Sequence, residues 1–189
     1  LRVGGEADVF RSLQYLPGVL ASSQISSGLY IRGGSPDQTL VLLDGSAIYN
    51  PSHLFGFFST FNPDAIKDVD LIKGGYPAEY GGRLSAVLDL VQKDGNRNKF
   101  GGTASLGLIS SRLSTEGPVG NGSWFLGFRR TYIDMLTGLL ETPEDPLPNY
   151  YFYDINGKIS QDIGSSDKLF LSGFTSEDAL DFDNNAGFN

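Results

Sequence analysis

The segment from Tyr151 to Ile163 alternates between apolar and polar side chains, and this alternation limits what the chain can fold into. Side chains along a β-strand point alternately to its two faces, so the pattern predicts one strand with two unlike faces. At about 13 residues, the segment is longer than a usual globular strand. The apolar face carries Tyr151, Tyr153, Ile155, Gly157, Ile159 and Ile163, interrupted by Gln161, and the other face carries Phe152, Asp154, Asn156, Lys158, Ser160 and Asp162.

Further segments with the same period follow residue 98. Strands are predicted over 99–107, 109–116, 123–133 and 167–176. The joins at 117–122 and 164–167 are tight turns, and 137–149 is a long acidic loop, although the join near Leu108 is also short. Short turns on one side and long loops on the other are typical of outer-membrane barrels. The sequence therefore predicts about five antiparallel strands of a transmembrane β-barrel.

Lipid exposure follows from that assignment. Tyr151, Tyr153, Ile155 and Ile159 should face lipid, whereas Asp154, Asn156, Lys158 and Asp162 should face the barrel lumen. Ile155→Arg near the middle of the membrane should then cost about 2–4 kcal/mol. Asn156→Arg should cost much less.

The first half of the chain has a mixed pattern. It predicts a short helix over 6–16 that ends at Pro17, and helical turns from Asn62 to Lys67. Strands are predicted over 29–32, 40–44, 69–71 and 84–90. A polar link over 92–98 separates this pattern from the long alternating strands. We therefore expect an α+β domain over 1–92 and barrel strands over 93–189.

Composition excludes several classes of site. The net charge of −8 argues against a nucleic-acid-binding surface, which would need clustered Lys and Arg. The absence of Cys excludes disulfides and thiolate metal sites, and His53 is the single His. One His is too few for most His-based metal sites and leaves a Ser-His-Asp triad dependent on that residue alone. We expect no enzymatic activity, no metal and no cofactor.

Two ordered stretches, residues 28–45 and 72–85, resemble the plug domain of TonB-dependent outer-membrane receptors. The segment 50–58 between them resembles the subgroup that carries an N-terminal carboxypeptidase-regulatory-like domain, and residues 129–132 resemble the early barrel of that subgroup. The matching plug positions are Arg32, Gly33, Gly34, Asp44, Gly45, Gly74, Gly75, Gly81 and Gly82. Because none of the glycine pairs has a phosphate-loop spacing, we expect turns with positive φ.

The resemblance implies a barrel of about 22 strands with a plugged lumen. It also implies a location in the outer membrane of a Gram-negative bacterium and gated import of a scarce ligand. The implied partners are TonB (through a box upstream of Leu1), outer-membrane lipid, an unidentified small ligand and a surface lipoprotein lid. Leu1–Gly5 lack a signal-peptide pattern, which leaves a mature chain or a fragment. A fragment is expected, because no TonB box precedes the plug and the sequence stops after about five strands. The alternative is a structural or scaffolding subunit of a larger outer-membrane assembly that keeps the receptor fold.

Two groups of residues are candidates for specific roles. Asn50, Ser52 and His53 lie in an aromatic loop over 49–61 and could face ligand at the plug apex. The alternative is that Phe55, Phe57 and Phe58 pack against the plug or the barrel wall and that the loop is structural. Arg129 lies on the predicted lumen face and should pair with a carboxylate of the late plug segment, Glu79 or Asp89, with Glu79 as first choice. The alternative is that Arg129 meets lumen water or a neighbouring strand.

Overall fold

A computed structural model describes residues 2–3, 6–21, 27–140 and 149–181. Short elements fill the first half. In chain order they are β1 (Arg2–Val3), β2 (Glu6–Ala7), α1 (Val9–Leu13), β3 (Val19–Ala21), β4 (Leu29–Ile31), β5 (Thr39–Leu43), β6 (Ser46–Ala47), β7 (Ser52–His53), β8 (Phe58–Ser59), β9 (Ile66–Ile72) and β10 (Ala86–Gln92). Single 3₁₀ turns lie at Pro36–Gln38 and Leu54–Gly56.

A mixed sheet with strand order β6-β5-β10-β9 forms the centre of this first domain. β5 and β10 are parallel, whereas the other neighbours are antiparallel. Ala86, Leu88 and Leu90 of β10 are buried against α1, β3 and β4. The core consists of Phe10, Leu13, Val19, Leu29, Ile31, Val41, Leu43, Phe61, Ala86, Leu88 and Leu90. The expected α+β domain is confirmed.

Two local expectations in this domain are wrong. The helix predicted over 6–16 is only α1, which Asp8 begins by accepting a hydrogen bond from the Arg11 amide at 3.0 Å. It ends early because Leu16 finds no core partner and is 39% exposed. The helical turns predicted from Asn62 to Lys67 are a short turn followed by β9, since pairing with β10 gives those backbone groups sheet hydrogen bonds.

The second half forms one antiparallel sheet with strands in sequential order. Its strands are β11 (Gly101–Leu106), β12 (Ser110–Val119), β13 (Gly122–Thr131), β14 (Asn149–Ile163) and β15 (Asp167–Asp181). The five predicted strands are confirmed, with tight connections at 107–109, 120–121 and 164–166. The division between 1–92 and 93–189 remains a proposal, and it falls between the end of β10 and the start of β11.

The connection between β13 and β14 differs from the expected acidic loop. Helix α2 (Ile133–Leu140) occupies its first part, and residues 141–148 lie outside the described residues. The apolar residues of α2 lie at helical spacing, whereas the loop prediction rests on the acidic and Pro-rich residues that follow the helix. Within the described ranges, no helix is long and apolar enough to cross a membrane.

The alternation along β14 has the expected orientation. Ile155 and Ile159 are 36% and 40% exposed on the outer face, while Asp154 and Asn156 are 0% exposed on the inner face. The inner face, however, packs on the first domain instead of facing open lumen. Asn156 donates a hydrogen bond to Gln92 at 3.1 Å. The expectation that Asn156→Arg costs little is therefore wrong, because an arginine there has no space or solvent.

The prediction that Ile155 faces lipid can be tested by comparing two positions on the same face of β14. In the complete barrel that the resemblance implies, Ile155→Arg should lower the free energy of unfolding from vesicles by about 2–4 kcal/mol, because the charge enters hydrocarbon. Ile163→Arg, at the end of the same strand face, should cost about 0–1 kcal/mol, since it lies near the membrane interface. Urea titration of both variants in phospholipid vesicles measures the difference. Similar costs at both sites would contradict the assignment.

Candidate functional site at the plug–barrel contact

A layer of polar side chains, most of them buried, joins the first domain to the inner face of β13, β14 and β15. We call this layer the polar seam. Every second residue of a strand points inward, so β14 presents a continuous row of polar groups to the first domain. Buried charges are costly unless they are paired, and the seam provides partners from both sides. Its members are Asp44, His53, Ser59, Gln92 and Asp94 from the first domain or the link, and Arg129, Asp154, Asn156, Lys158, Ser160 and Asp178 from the strands.

Lys158 forms the central ion pair of the seam. Its Nζ lies 2.9 Å from an Asp44 carboxylate oxygen and donates to the Gln92 carbonyl at 3.2 Å. The two charged side chains are 4% and 2% exposed. Asp44 follows β5 and Gln92 ends β10, and these strands are parallel, so both residues meet at one edge of the sheet. The Asp44 carboxylate also accepts from the Gln92 amide at 3.0 Å.

Asp94 lies in the link after β10 and is surrounded by three lysines. Lys168 and Lys67 lie 2.9 Å and 3.2 Å from its carboxylate, Lys158 lies at 3.4 Å, and Ser160 donates at 3.1 Å. Burial alone would raise the pKa of Asp94, but the hydrogen bonds from Lys168 and Lys67 and the charge of Lys158 together hold that pKa well below its ordinary value. Its contribution to stability is therefore complete above the pKa of an unfolded Asp and is lost only as the pH falls through the lower folded value.

His53 lies in the seam and does not face ligand, which corrects the expectation for this residue. It belongs to the hairpin of β7 and β8, where adjacent side chains point to opposite sides. Its ring is 0% exposed, with Nδ1 2.8 Å from Asp178 and Nε2 2.7 Å from Asp154. The residue before it, Ser52, points the other way.

Arg129 contacts the first domain, but not through Glu79. Its Nε donates to Asp154 at 2.7 Å, and its NH2 group donates to the Ser59 carbonyl at 2.7 Å. Glu79 is exposed at the far surface of the first domain. The carboxylate partner therefore comes from the neighbouring strand β14, and the contact across the seam goes to the backbone of β8.

An open cavity of about 500 Å³ lies on the other side of the β7–β8 hairpin. Ser52 lines it, and Asn50 is exposed nearby. Tyr49 and Phe55 are each 90% exposed at its edge. The packing alternative for the aromatic loop applies to Phe58, which is 5% exposed. Phe55 is turned outward by the positive φ values of Leu54 and Phe55 itself, 47° and 52°. A ligand-facing role for Asn50 and Ser52 remains a prediction.

The glycine-rich motifs have a structural role. Positive φ occurs at Gly33, Gly45, Gly74, Gly75 and Gly82, as expected for turns, whereas Gly34 and Gly81 lack it. Gly34 is required for another reason, because a Cβ there would lie 2.2 Å from the Ser85 hydroxyl. Ser85 donates to the Ile31 carbonyl at 2.9 Å, so the two motifs contact each other at this point. Arg32 lies beside Gly74 in the same contact.

Sequence reasoning missed Asp178 as a seam residue. β15 was expected to end at 176, whereas it continues to Asp181 and brings Asp178 opposite Phe152. The signal was weak, because β15 follows the alternating pattern less strictly than β14. Among the described residues, no group of three or more His, Asp or Glu side chains is arranged to hold a metal ion.

Comparison with known proteins supports the fold of both halves of the chain. Residues 1–87 match the family model of the TonB-dependent receptor plug domain. The siderophore receptor PirA from Pseudomonas aeruginosa matches with a TM-score of 0.62 and 18% identity, over 90% of this chain and 32% of PirA. A variant of the ferric enterobactin receptor PfeA from the same organism, solved with enterobactin, matches with a TM-score of 0.63 and 19% identity, over 92% of this chain and 31% of PfeA.

The chain thus spans about a third of the length of these solved receptors. The family match covers the first domain, and the structural matches extend over the following strands. Members of this receptor family are transporters of the outer membrane and not enzymes. Residues 1–87 belong to the TonB-dependent receptor plug domain family, and the five strands that follow have the fold of the corresponding part of the solved receptors.

Proposed function

We propose that this chain carries the gate of an outer-membrane receptor that imports a scarce small ligand, with energy supplied by TonB. The polar seam is the observation that supports this proposal most directly. The plug has its own apolar core. Its contact with β13 and β14 combines one small apolar cluster, Phe58 with Tyr150 and Phe152, with a row of hydrogen bonds and ion pairs.

A gate must separate from the wall without unfolding. Polar contacts lose little net free energy when water replaces them, because a typical hydrogen bond contributes only about 0.5–1.5 kcal/mol. Burying the same area with apolar side chains would resist separation more strongly, at about 25 cal/mol per Å². A polar seam therefore suits a plug that must move as a unit when it is pulled.

The setting of the receptor belongs to the same proposal. We place it in the outer membrane of a Gram-negative bacterium, with β11–β15 in contact with lipid and TonB acting from the periplasm. A surface lipoprotein lid is a further proposed partner. The relation to the subgroup with a carboxypeptidase-regulatory-like domain stays a prediction from the sequence.

A reversible cross-link between plug and barrel tests the gate. The Asn62 side-chain nitrogen lies 3.4 Å from the position of a Cβ on Gly127, so Asn62→Cys with Gly127→Cys places two thiols across the contact in a chain that has no other Cys. Oxidation to a disulfide, or a thiol cross-linker that contains a disulfide, can then join them reversibly. In cells that express the full-length receptor, we expect TonB-dependent accumulation of at least one labelled siderophore, cobalamin, oligosaccharide or peptide. Oxidation of the cysteine pair should abolish it, and reduction should restore it.

The matched control is Thr115→Cys with Leu126→Cys, which joins register partners on β12 and β13 outside the seam. This pair should leave uptake unchanged when oxidised. Continued uptake with the Asn62–Gly127 pair fully oxidised would overturn the gate. No accumulation of any probe by a correctly assembled receptor would favour the scaffolding alternative.

A further inference from the structure

Both ring nitrogens of His53 face carboxylates. Nδ1 lies 2.8 Å from Asp178, and Nε2 lies 2.7 Å from Asp154. A neutral imidazole has only one N–H, so it can donate to one of these oxygens and must present a lone pair to the other. The imidazolium has two N–H groups and satisfies both contacts.

Each of the two carboxylates also has a hydrogen-bond donor other than His53. Arg129 pairs with Asp154, and Asp178 is 38% exposed and accepts a hydrogen bond from the Tyr150 hydroxyl. The proton that completes the geometry therefore belongs on His53. With it, Arg129 and His53 supply two positive charges to the two carboxylates.

The other described polar groups near the His53 ring, Ser176, Asp8 and Arg11, are compatible with a positively charged imidazole. On β15, the Ser176 hydroxyl lies 3.3 Å from Nε2. On α1, Asp8 is engaged by the Ser59 amide at 2.6 Å, and Arg11 donates to the Phe57 carbonyl at 2.8 Å, so both are directed to the backbone near β8.

The aromatic surface beneath the ring also favours a cation. Phe152 stacks on His53 with ring centroids 3.8 Å apart and planes 13° apart. The Arg129 guanidinium lies 5.0 Å from the centroid of the same Phe152 ring. The face of an aromatic ring attracts positive charge, so Phe152 suits two cationic neighbours.

We propose that His53 is a proton-dependent latch that holds the plug against β14 and β15. As imidazolium it links Asp154 to Asp178 and keeps the plug closed, and loss of its proton leaves a carboxylate without its donor and loosens the contact. The latch rests on the proposed gating function, because it regulates the same contact. The latch responds to the proton concentration of the solvent and requires no bound ligand.

The direction of the pH effect follows from linkage. The closed state binds one more proton than the open state, so closure is favoured in acid and opening is favoured as the pH rises. A difference of one proton changes the opening equilibrium by up to about tenfold per pH unit. His53→Gln removes the charge, so opening should be more frequent and independent of pH.

The test uses the full-length receptor reconstituted in planar lipid bilayers. Plug-opening events are counted by ion conductance from pH 5.5 to pH 9, without ligand or TonB, at pH values chosen around the roughly 6.5 of an ordinary histidine. Wild type should open more often as the pH rises, and His53→Gln should be flat. Glu79→Gln, an exposed plug substitution away from the seam, should keep the wild-type slope. A flat wild-type profile, or the same slope in His53→Gln, would overturn the latch.

A spectroscopic measurement covers the case in which His53→Gln fails to assemble. In wild-type receptor labelled with ¹⁵N-histidine, both His53 nitrogens should show one-bond couplings to hydrogen in the closed state near pH 6. One protonated nitrogen would overturn the proposal. Because neither readout uses transport, failure of the latch would leave the proposed import function standing, and absence of import would leave the latch testable.

Discussion

Lys158→Gln in the full-length receptor is expected to lower the stability of the closed plug by about 3–5 kcal/mol. The substitution leaves Asp44, whose side chain is 2% exposed, without its ion-pair partner at 2.9 Å. The Gln92 amide groups still donate to Asp44, but the buried charge is no longer neutralised, which is costly because water cannot reach it. Urea-induced unfolding of the purified receptor, followed by proteolysis of the released plug, measures the loss.

Asp44→Asn provides the second arm of a double-mutant cycle. Asp44 has a φ of 48°, a conformation that Asn tolerates better than most residues, so this change removes charge with little backbone strain. We expect the double variant to be more stable than the sum of the two single losses predicts, since neither charge is then left alone. Strictly additive losses would show that the pair is not coupled across the seam.

Gly95→Ala is expected to prevent normal assembly of plug and barrel. Gly95 has a φ of 87°, and a Cβ there would lie 2.0 Å from the Trp124 carbonyl oxygen. The left-handed backbone alone costs an alanine about 1–2 kcal/mol. The contact with the β13 backbone adds to this cost, because neither backbone can yield as a flexible side chain would. Heat-modifiable gel mobility and outer-membrane abundance of the full-length receptor measure assembly.

Gly164→Ala is the matched control for that result. Gly164 also has positive φ, 69°, but nothing lies within 4 Å of the added Cβ. Gly164→Ala should therefore show only the cost of placing an alanine in the left-handed backbone region, and the receptor should still assemble. Equal defects in the two variants would contradict the close approach of the link between plug and barrel to β13.

Local patterns in the sequence determined the orientation of the strands. The period of two along β14 determines which side chains point inward, because that period is a property of the extended backbone. The same reasoning predicted the five strands and the inward position of Arg129 and Lys158. The plug motifs were readable because their glycines meet backbone requirements within a few residues, as at Gly33 and Gly45.

Tertiary structure alone decided which groups meet. His53 lies 101 residues before Asp154 and 125 before Asp178 in the sequence. Arg129 pairs with Asp154 and not with the predicted Glu79. These contacts depend on strand register and on how the plug packs against the sheet, which no local pattern contains. The early end of α1 has the same origin, because a helix of five residues persists only where packing supports it. The sequence by itself determined which faces are polar, and packing between distant segments determined the partners of those polar groups.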